Sequence, residues 1–203
     1  MQAPLCFETI CVRNRRLINL PYHQARLHRT RTTLWGSRDR WSLTDLLSVP
    51  DSLSTGTYKC RLTYGQQVEN IEWEPYTPRP IRSLRVVYDD SIDYSHKYRD
   101  RQRLNALAEQ RGTCDDVLIV RQGLVTDTSY CNVAFYDGER WLTPSAPLLP
   151  GTQRAFLLDQ RIIQEAPIKV EELHRFSEVK LFNAMLSWEE GTLLVTDQIM
   201  SGL

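Results

Sequence analysis

Four places in this 203-residue chain carry groups that could do chemistry. Lys97, in YSHKYRD, offers an amine just ahead of a predicted helix; taken alone it is either a nucleophile awaiting activation or a solvated charge. Asp127, closing LVTD, is a carboxylate able to hold a cationic nitrogen, or else an Asx-type cap of the turn into SYCN. Arg26 is one of four arginines between residues 26 and 38. Its planar guanidinium suits a phosphate dianion, because it can make two charge-assisted hydrogen bonds at once, although a run of arginines also describes a solvated helix face. Gly151 and Thr152 stand at a predicted helix start, where unpaired N–H groups and the positive helix end can receive an anion or be capped in the ordinary way.

The elements that must position these groups can be read from the pattern. LCFETICV and LINL read as strands about a polar turn, RNRR. A helix carrying YHQARLHRTRTTLW follows, with Asn19 as its cap and Pro21 in its first turn, and Gly36 ends it. His23 and His28 on this helix read as surface or locally satisfied groups, since no nearby Cys or acid completes a metal constellation. SLTDLLSV predicts a short helix ended before Pro50. TYKCRLTY alternates with the period of a half-buried strand and pairs through Gly65 with QVENIEWE. PYTPRP is a connector, and IRSLRVVYDD a further strand.

Downstream, Leu104 and Leu107 give RQRLNALAEQ one apolar stripe, so a helix is expected there. VLIV and LVT flank a Gln122-Gly123 turn, and VAFYDGERWL forms a hairpin about Asp137-Gly138. TPSAPLLP leads into the helix GTQRAFLLDQRII. In the tail, Phe182 and the leucines read as core.

Taken together and in this order, the motifs resemble the core of the class IV aminotransferases, the pyridoxal-phosphate enzymes that include branched-chain and D-amino acid aminotransferases and 4-amino-4-deoxychorismate lyase. The resemblance runs through FETI, YHQARL, Lys97 ahead of its helix, GLVTDTSYCN, LTP and LLPGTQRA, and covers most of the chain. It implies an α/β (α+β) fold of two small domains with the cofactor cleft between them, expected here at residues 1–88 and 89–203. It implies pyridoxal 5'-phosphate as cofactor, with Lys97 carrying its aldehyde as an imine and later moving a proton between the substrate carbon and the cofactor. Asp127 takes the place of an acid that is generally glutamate in the family and binds the pyridine nitrogen; its side chain is one methylene shorter. Arg26 and the backbone of Gly151, Thr152 and Gln153 are implied as phosphate ligands. Asn183 and Ala184 stand where related proteins carry a hydroxyl-rich or small-residue turn. Asn132 would hold the acid or the strand, and Arg154 would support the loop or the acid.

The resemblance also implies a homodimer acting on a small amino-bearing substrate. The expected reaction is that of 4-amino-4-deoxychorismate lyase, because FETI is closer to the lyase and D-amino acid aminotransferase forms and the chain reaches it without a glycine-rich approach. An amino acid aminotransferase and a catalytically silent dimeric binding protein are the alternatives.

Composition limits the partners. With 25 Lys+Arg against 25 Asp+Glu there is no broad field to gather nucleic acid or an anionic membrane. Cys6, Cys11, Cys60, Cys114 and Cys131 form no CxxC pair and leave an odd count, which points to buried thiols and a reducing cytoplasm. No apolar run is long enough to span a bilayer.

Overall fold

The structure, a computed structural model, describes residues 4–53 and 55–201. The chain forms two compact units, one comprising Met1–Pro78 with His96–Asp100 and the other Arg79–Ser95 with Arg101–Leu203. The architecture is mixed α/β and rich in sheet.

In the first unit β1 (Cys6–Arg13), β2 (Arg16–Leu17), β3 (Thr57–Tyr64) and β4 (Val68–Pro75) form an antiparallel sheet in the order β2-β1-β3-β4. Helix α1 (Leu20–Trp35) buries His23, Arg26, Leu27, Thr30 and Arg31, a stripe at the 3.6-residue period. Leu27 packs with Cys6, Ile10, Val12, Cys60, Leu62 and Tyr64 from the sheet, and with Leu43 and Leu47 around the short α2 (Leu43–Leu46). Pro21 falls in the first turn as expected. Asn19, however, caps α1 by adopting a left-handed backbone, φ 53°, with no side-chain cap hydrogen bond. The second strand is only Arg16–Leu17, because α1 begins at Leu20.

The second unit carries β5 (Leu84–Tyr88), α3 (Gln102–Glu109), β6 (Asp116–Arg121), β7 (Leu124–Thr128), β8 (Asn132–Tyr136), β9 (Trp141–Pro144), α4 (Thr152–Asp159), β10 (Gln164–Ala166), β11 (Glu178–Phe182), β12 (Thr192–Val195) and β13 (Ile199–Met200). Its two sheets run β13-β5-β6-β7 and β10-β9-β8-β11-β12. The expected β6–β7 hairpin turns at Gln122 and Gly123, both with positive φ, the backbone that a two-residue hairpin turn requires. Ala134, Leu157, Ile163 and Phe182 form a core cluster here.

Two expectations are corrected. The domain boundary expected between residues 88 and 89 would cut β5 from its sheet; β5 pairs in parallel with β6, so the division lies at Pro78–Arg79. Residues 96–100 then return to the first unit, because Leu5 and Phe7 hold them through backbone hydrogen bonds. All five cysteines are buried free thiols. No helix among the described residues is long and apolar enough to cross a membrane.

Candidate active site

In the first unit the candidate groups gather on β1. The start of this strand bonds to β3 on one edge and to the Lys97 segment on the other: the Phe7 N–H donates to the Lys97 carbonyl (3.0 Å), the Arg99 N–H donates to the Leu5 carbonyl (2.7 Å), and Cys6 pairs with Tyr98. Lys97 is therefore on an extended segment five residues before α3, not at the helix start. Its Nζ lies 4.9 Å from the centroid of the Phe7 ring. The other lysines of interest are placed differently: Lys59 pairs with Glu74, Lys169 with Glu171, and Lys180 lies over Trp188.

One residue beyond Phe7, Glu8 is wholly buried. Arg26 grips it through two bonds, Nε to Oε1 at 2.9 Å and Nη2 to Oε2 at 2.6 Å. His23 Nδ1 stands 2.6 Å from Oε2. Burial pulls the Glu8 carboxyl upward, but the Arg26 guanidinium and the hydrogen bonds from His23 and Arg26 overcome it and hold the group at about 2. Burial pulls His23 the other way, below its ordinary value. An ionised carboxylate only accepts, so neutral His23 must carry its hydrogen on Nδ1. His23 is thus a satisfied local group, one of the two placements expected of it, and helical period turns it inward beside Arg26.

The four arginines separate into two kinds. Arg26 and Arg31 are buried, whereas Arg29 and Arg38 are exposed. Arg31 binds both carboxylate oxygens of Asp39 and covers the Trp41 ring, so it fixes the loop after α1. Arg26, on α1, is the buried arginine that pairs with Glu8 of the FETI strand.

In the second unit Asp127, 5% exposed, is the next-to-last residue of β7. Its Oδ1 accepts from Asn132 Nδ2 (2.8 Å) and its Oδ2 from the Leu149 N–H (2.9 Å). Desolvation pushes its carboxyl up to about 6 against the lowering effect of the Leu149 and Asn132 hydrogen bonds and of Arg154. Asn132 also donates to the Leu149 carbonyl (2.9 Å), tying the acid to the LLPG loop. A Cβ on Gly151 would overlap Asn132 Oδ1. Glycine is therefore required here by the amide that holds the acid. Thr152 and Gln153, both buried, open α4, whose cap Gly151 supplies no side-chain bond. Arg154 donates to the Pro144 carbonyl at the end of β9 (2.8 Å) and to Glu165 of β10 (2.6 Å). Asn183 Oδ1 accepts from the N–H groups of Met185 and Leu186, closing a turn that includes half-buried Ala184, and its Nδ2 reaches Cys131 Sγ at 3.3 Å.

The first unit thus brings Lys97 and Arg26 to one strand, and the second brings Asp127, Asn132 and Gly151–Arg154 to one loop. Within each unit the donors suit one part of a pyridoxal phosphate group: the guanidinium of Arg26 suits a phosphate and the carboxylate of Asp127 a cationic ring nitrogen. A carboxylate has about four acceptor positions, so Asp127 can take a further N–H donor, and a buried acid raised in this way gains from a cationic partner. Sequence reasoning missed Glu8 and its bond to His23. The signal was there: Glu8 shares its strand face with Cys6, Ile10 and Val12, and an acid in an apolar stripe demands a partner. Among the described residues no group of His, Cys, Asp and Glu could hold a metal ion.

The amino-transferase class IV family model matches residues 5–189. An uncharacterized protein of Haemophilus influenzae is 38% identical over 181 residues, 88% of this chain and 96% of that one. A crystal structure from Haemophilus somnus, described provisionally as a 4-amino-4-deoxychorismate lyase, has 34% identity and a TM-score of 0.79 over 91% of this chain and 98% of its own. A hypothetical aminotransferase of Mycobacterium tuberculosis in its PLP-bound form has the same fold, with a TM-score of 0.73 at 18% identity over 95% of this chain and 81% of that one. The chain belongs to the class IV aminotransferase family of fold-type IV pyridoxal-phosphate enzymes.

Proposed function

We propose that this chain is a pyridoxal-phosphate-dependent lyase that converts 4-amino-4-deoxychorismate to p-aminobenzoate and pyruvate. The observation that carries the reading is the 34% identity to the Haemophilus somnus protein across nearly the whole of both chains. A protein of Schizosaccharomyces pombe, provisionally described as an aminodeoxychorismate lyase, adds 33% identity over 100 residues, 46% of this chain and 43% of that one. When bound, the cofactor supplies an electron-poor ring that accepts the electron pair left as the substrate carbon loses its proton.

The chain's residues do the rest. Lys97 would be the residue that holds the cofactor aldehyde, and its amine, once free, would take the proton from the substrate carbon. Asp127, ionised, would hold a protonated pyridine nitrogen, and Asn132 with the Leu149 N–H keeps Asp127 aimed. By the family resemblance, Arg26, the N–H groups at the start of α4 from Gly151 to Gln153, and the Asn183–Ala184 turn would be the residues that hold the phosphate. The proposed working form is a homodimer, as the family resemblance implies, which sedimentation of the purified protein tests directly.

The lyase must expel pyruvate as the ring becomes aromatic, and it needs one substrate and no amino acceptor. Cofactor-loaded protein should therefore release p-aminobenzoate and pyruvate without an added keto acid. Failure to do so, with exchange of amines between amino acids and 2-oxoglutarate or pyruvate, would make it an aminotransferase. Borohydride reduction of the loaded protein should fix a mass adduct on Lys97 that Lys97→Ala lacks; an adduct on Lys59, Lys169 or Lys180 would refute the assignment of the anchor.

A further inference from the structure

We propose that Glu8 is the positioning residue for phosphate binding: it fixes the guanidinium of Arg26, and the same strand fixes Lys97. The proposal rests on Arg26 as the phosphate ligand and goes beyond it, since Glu8 touches neither cofactor nor substrate in that role.

The geometry leads there in three steps. Both side chains are at least 95% buried, Glu8 at 0% and Arg26 at 4% exposure, so neither can swing into water at small cost. Glu8 takes the Nε and Nη2 side of the guanidinium with both of its oxygens, which sets the plane and direction of the fork. The direction of the opposite edge, and hence what it meets, is decided by where Glu8 puts it. Glu8 is in turn aimed by His23, whose Nδ1–H bonds to Oε2.

The strand adds the second part. Phe7 hydrogen-bonds the backbone of Lys97, and the next residue, Glu8, holds Arg26. One strand register therefore fixes the aldehyde-binding amine and the phosphate-binding fork to the same frame. A slip of one residue in β1 would turn Glu8 to the other face and lose Arg26 while the backbone bonds re-formed.

Charge and position predict opposite outcomes for a neutral Glu8. As a nearby anion Glu8 competes with phosphate, so removing its charge alone would strengthen phosphate binding. As the clamp on a buried cation it is required, because without it Arg26 loses the two bonds that set the plane of its guanidinium and must move. The fully buried, three-donor geometry makes the clamp the larger effect.

The test uses pyridoxine and pyridoxine 5'-phosphate, which lack the aldehyde and so bind without the lysine linkage. The ratio of their dissociation constants reports the phosphate contribution. In the wild-type protein the ratio should be large, and Arg26→Lys should reduce it. Glu8→Gln should lower it at least tenfold while pyridoxine affinity changes little. Glu8→Asp keeps the charge but shortens the reach, and should lower the ratio too; it serves where the Gln variant folds poorly. An unchanged or increased ratio in both variants, whatever the melting temperature does, overturns the proposal. A wild-type ratio insensitive to Arg26→Lys instead overturns the assignment of Arg26, and the Glu8 proposal with it.

Discussion

Two buried acids with opposite surroundings carry the residue-scale argument. Glu8 meets a guanidinium and a ring N–H, and stays ionised to about 2. Asp127 meets an amide, a backbone N–H and a more distant arginine, and rises to about 6, because neutral dipoles offset desolvation less than a contact cation does. In the apo protein the Asp127 carboxylate is a strained charge. Its folded value stands above the ordinary 3.8, so the folded state binds the proton more tightly and the penalty grows as pH rises from about 4 to above 6. A shift of this size corresponds to about 3 kcal/mol. Asp127→Asn keeps the shape and removes the charge, so the apo variant should gain stability over wild type between pH 4 and pH 7, read from paired denaturant titrations. Turnover of the loaded enzyme should fall in the same variant on the order of 100-fold or more, as for loss of a preorganised charge that acts on the transition state. Stability that does not change relative to wild type across this range would mean that Asp127 is an ordinary turn cap.

At the scale of elements, the β7–β8 connection and the start of α4 act as one piece, because Asn132 bonds Asp127 and Leu149 together and fills the space that a side chain at 151 would need. Gly151→Ala should therefore damage the acid before the phosphate loop. We expect a stability loss of about 1–3 kcal/mol from the overlap and a fall in turnover that Asn132→Ala reproduces, with the pyridoxine to pyridoxine 5'-phosphate ratio nearly unchanged. A selective loss of that ratio in Gly151→Ala would return the glycine to phosphate approach. The strands of this region were legible because VLIV, LVT and VAFY are apolar runs bounded by turn residues. The Asn132–Gly151 contact was not, since it joins residues 19 apart through a loop whose path no local pattern encodes. The Lys97 segment was illegible for a different reason: it is held by backbone hydrogen bonds over three residues, which leave no trace in side-chain type. Glu8 stood between these cases. Strand period turns it inward and helix period turns Arg26 and His23 inward, but only pairing α1 with β1 joins the two faces.

For the whole molecule, the two units carry one of these acids each, and the consequence is a pH dependence that differs between them. Glu8 is held below its ordinary value of 4.5, so its contribution is present above that pH and is lost as pH falls toward about 2, a change of about 3 kcal/mol. Asp127 works with the opposite sign, and acidification from above 6 to below 4 relieves its penalty. A global melting curve sums the two and partly hides both. Hydrogen exchange followed peptide by peptide, corrected for the intrinsic pH dependence of the amides, separates them. From pH 7 to pH 4 protection should rise in β7, β8 and the loop to α4 and decline in β1, β3 and α1, where unfolding lets the buried neutral His23 take up a proton. From pH 4 to pH 2.5 it should fall further in β1, β3 and α1 as Glu8 is protonated. In the Glu8→Gln variant the loss between pH 4 and pH 2.5 should shrink, because one of the two titrating groups of this unit is gone, while the rise in β7, β8 and the loop to α4 is kept. Loss of protection in both units together at one pH would show that general charge repulsion, and not these two carboxylates, governs the acid behaviour of the chain.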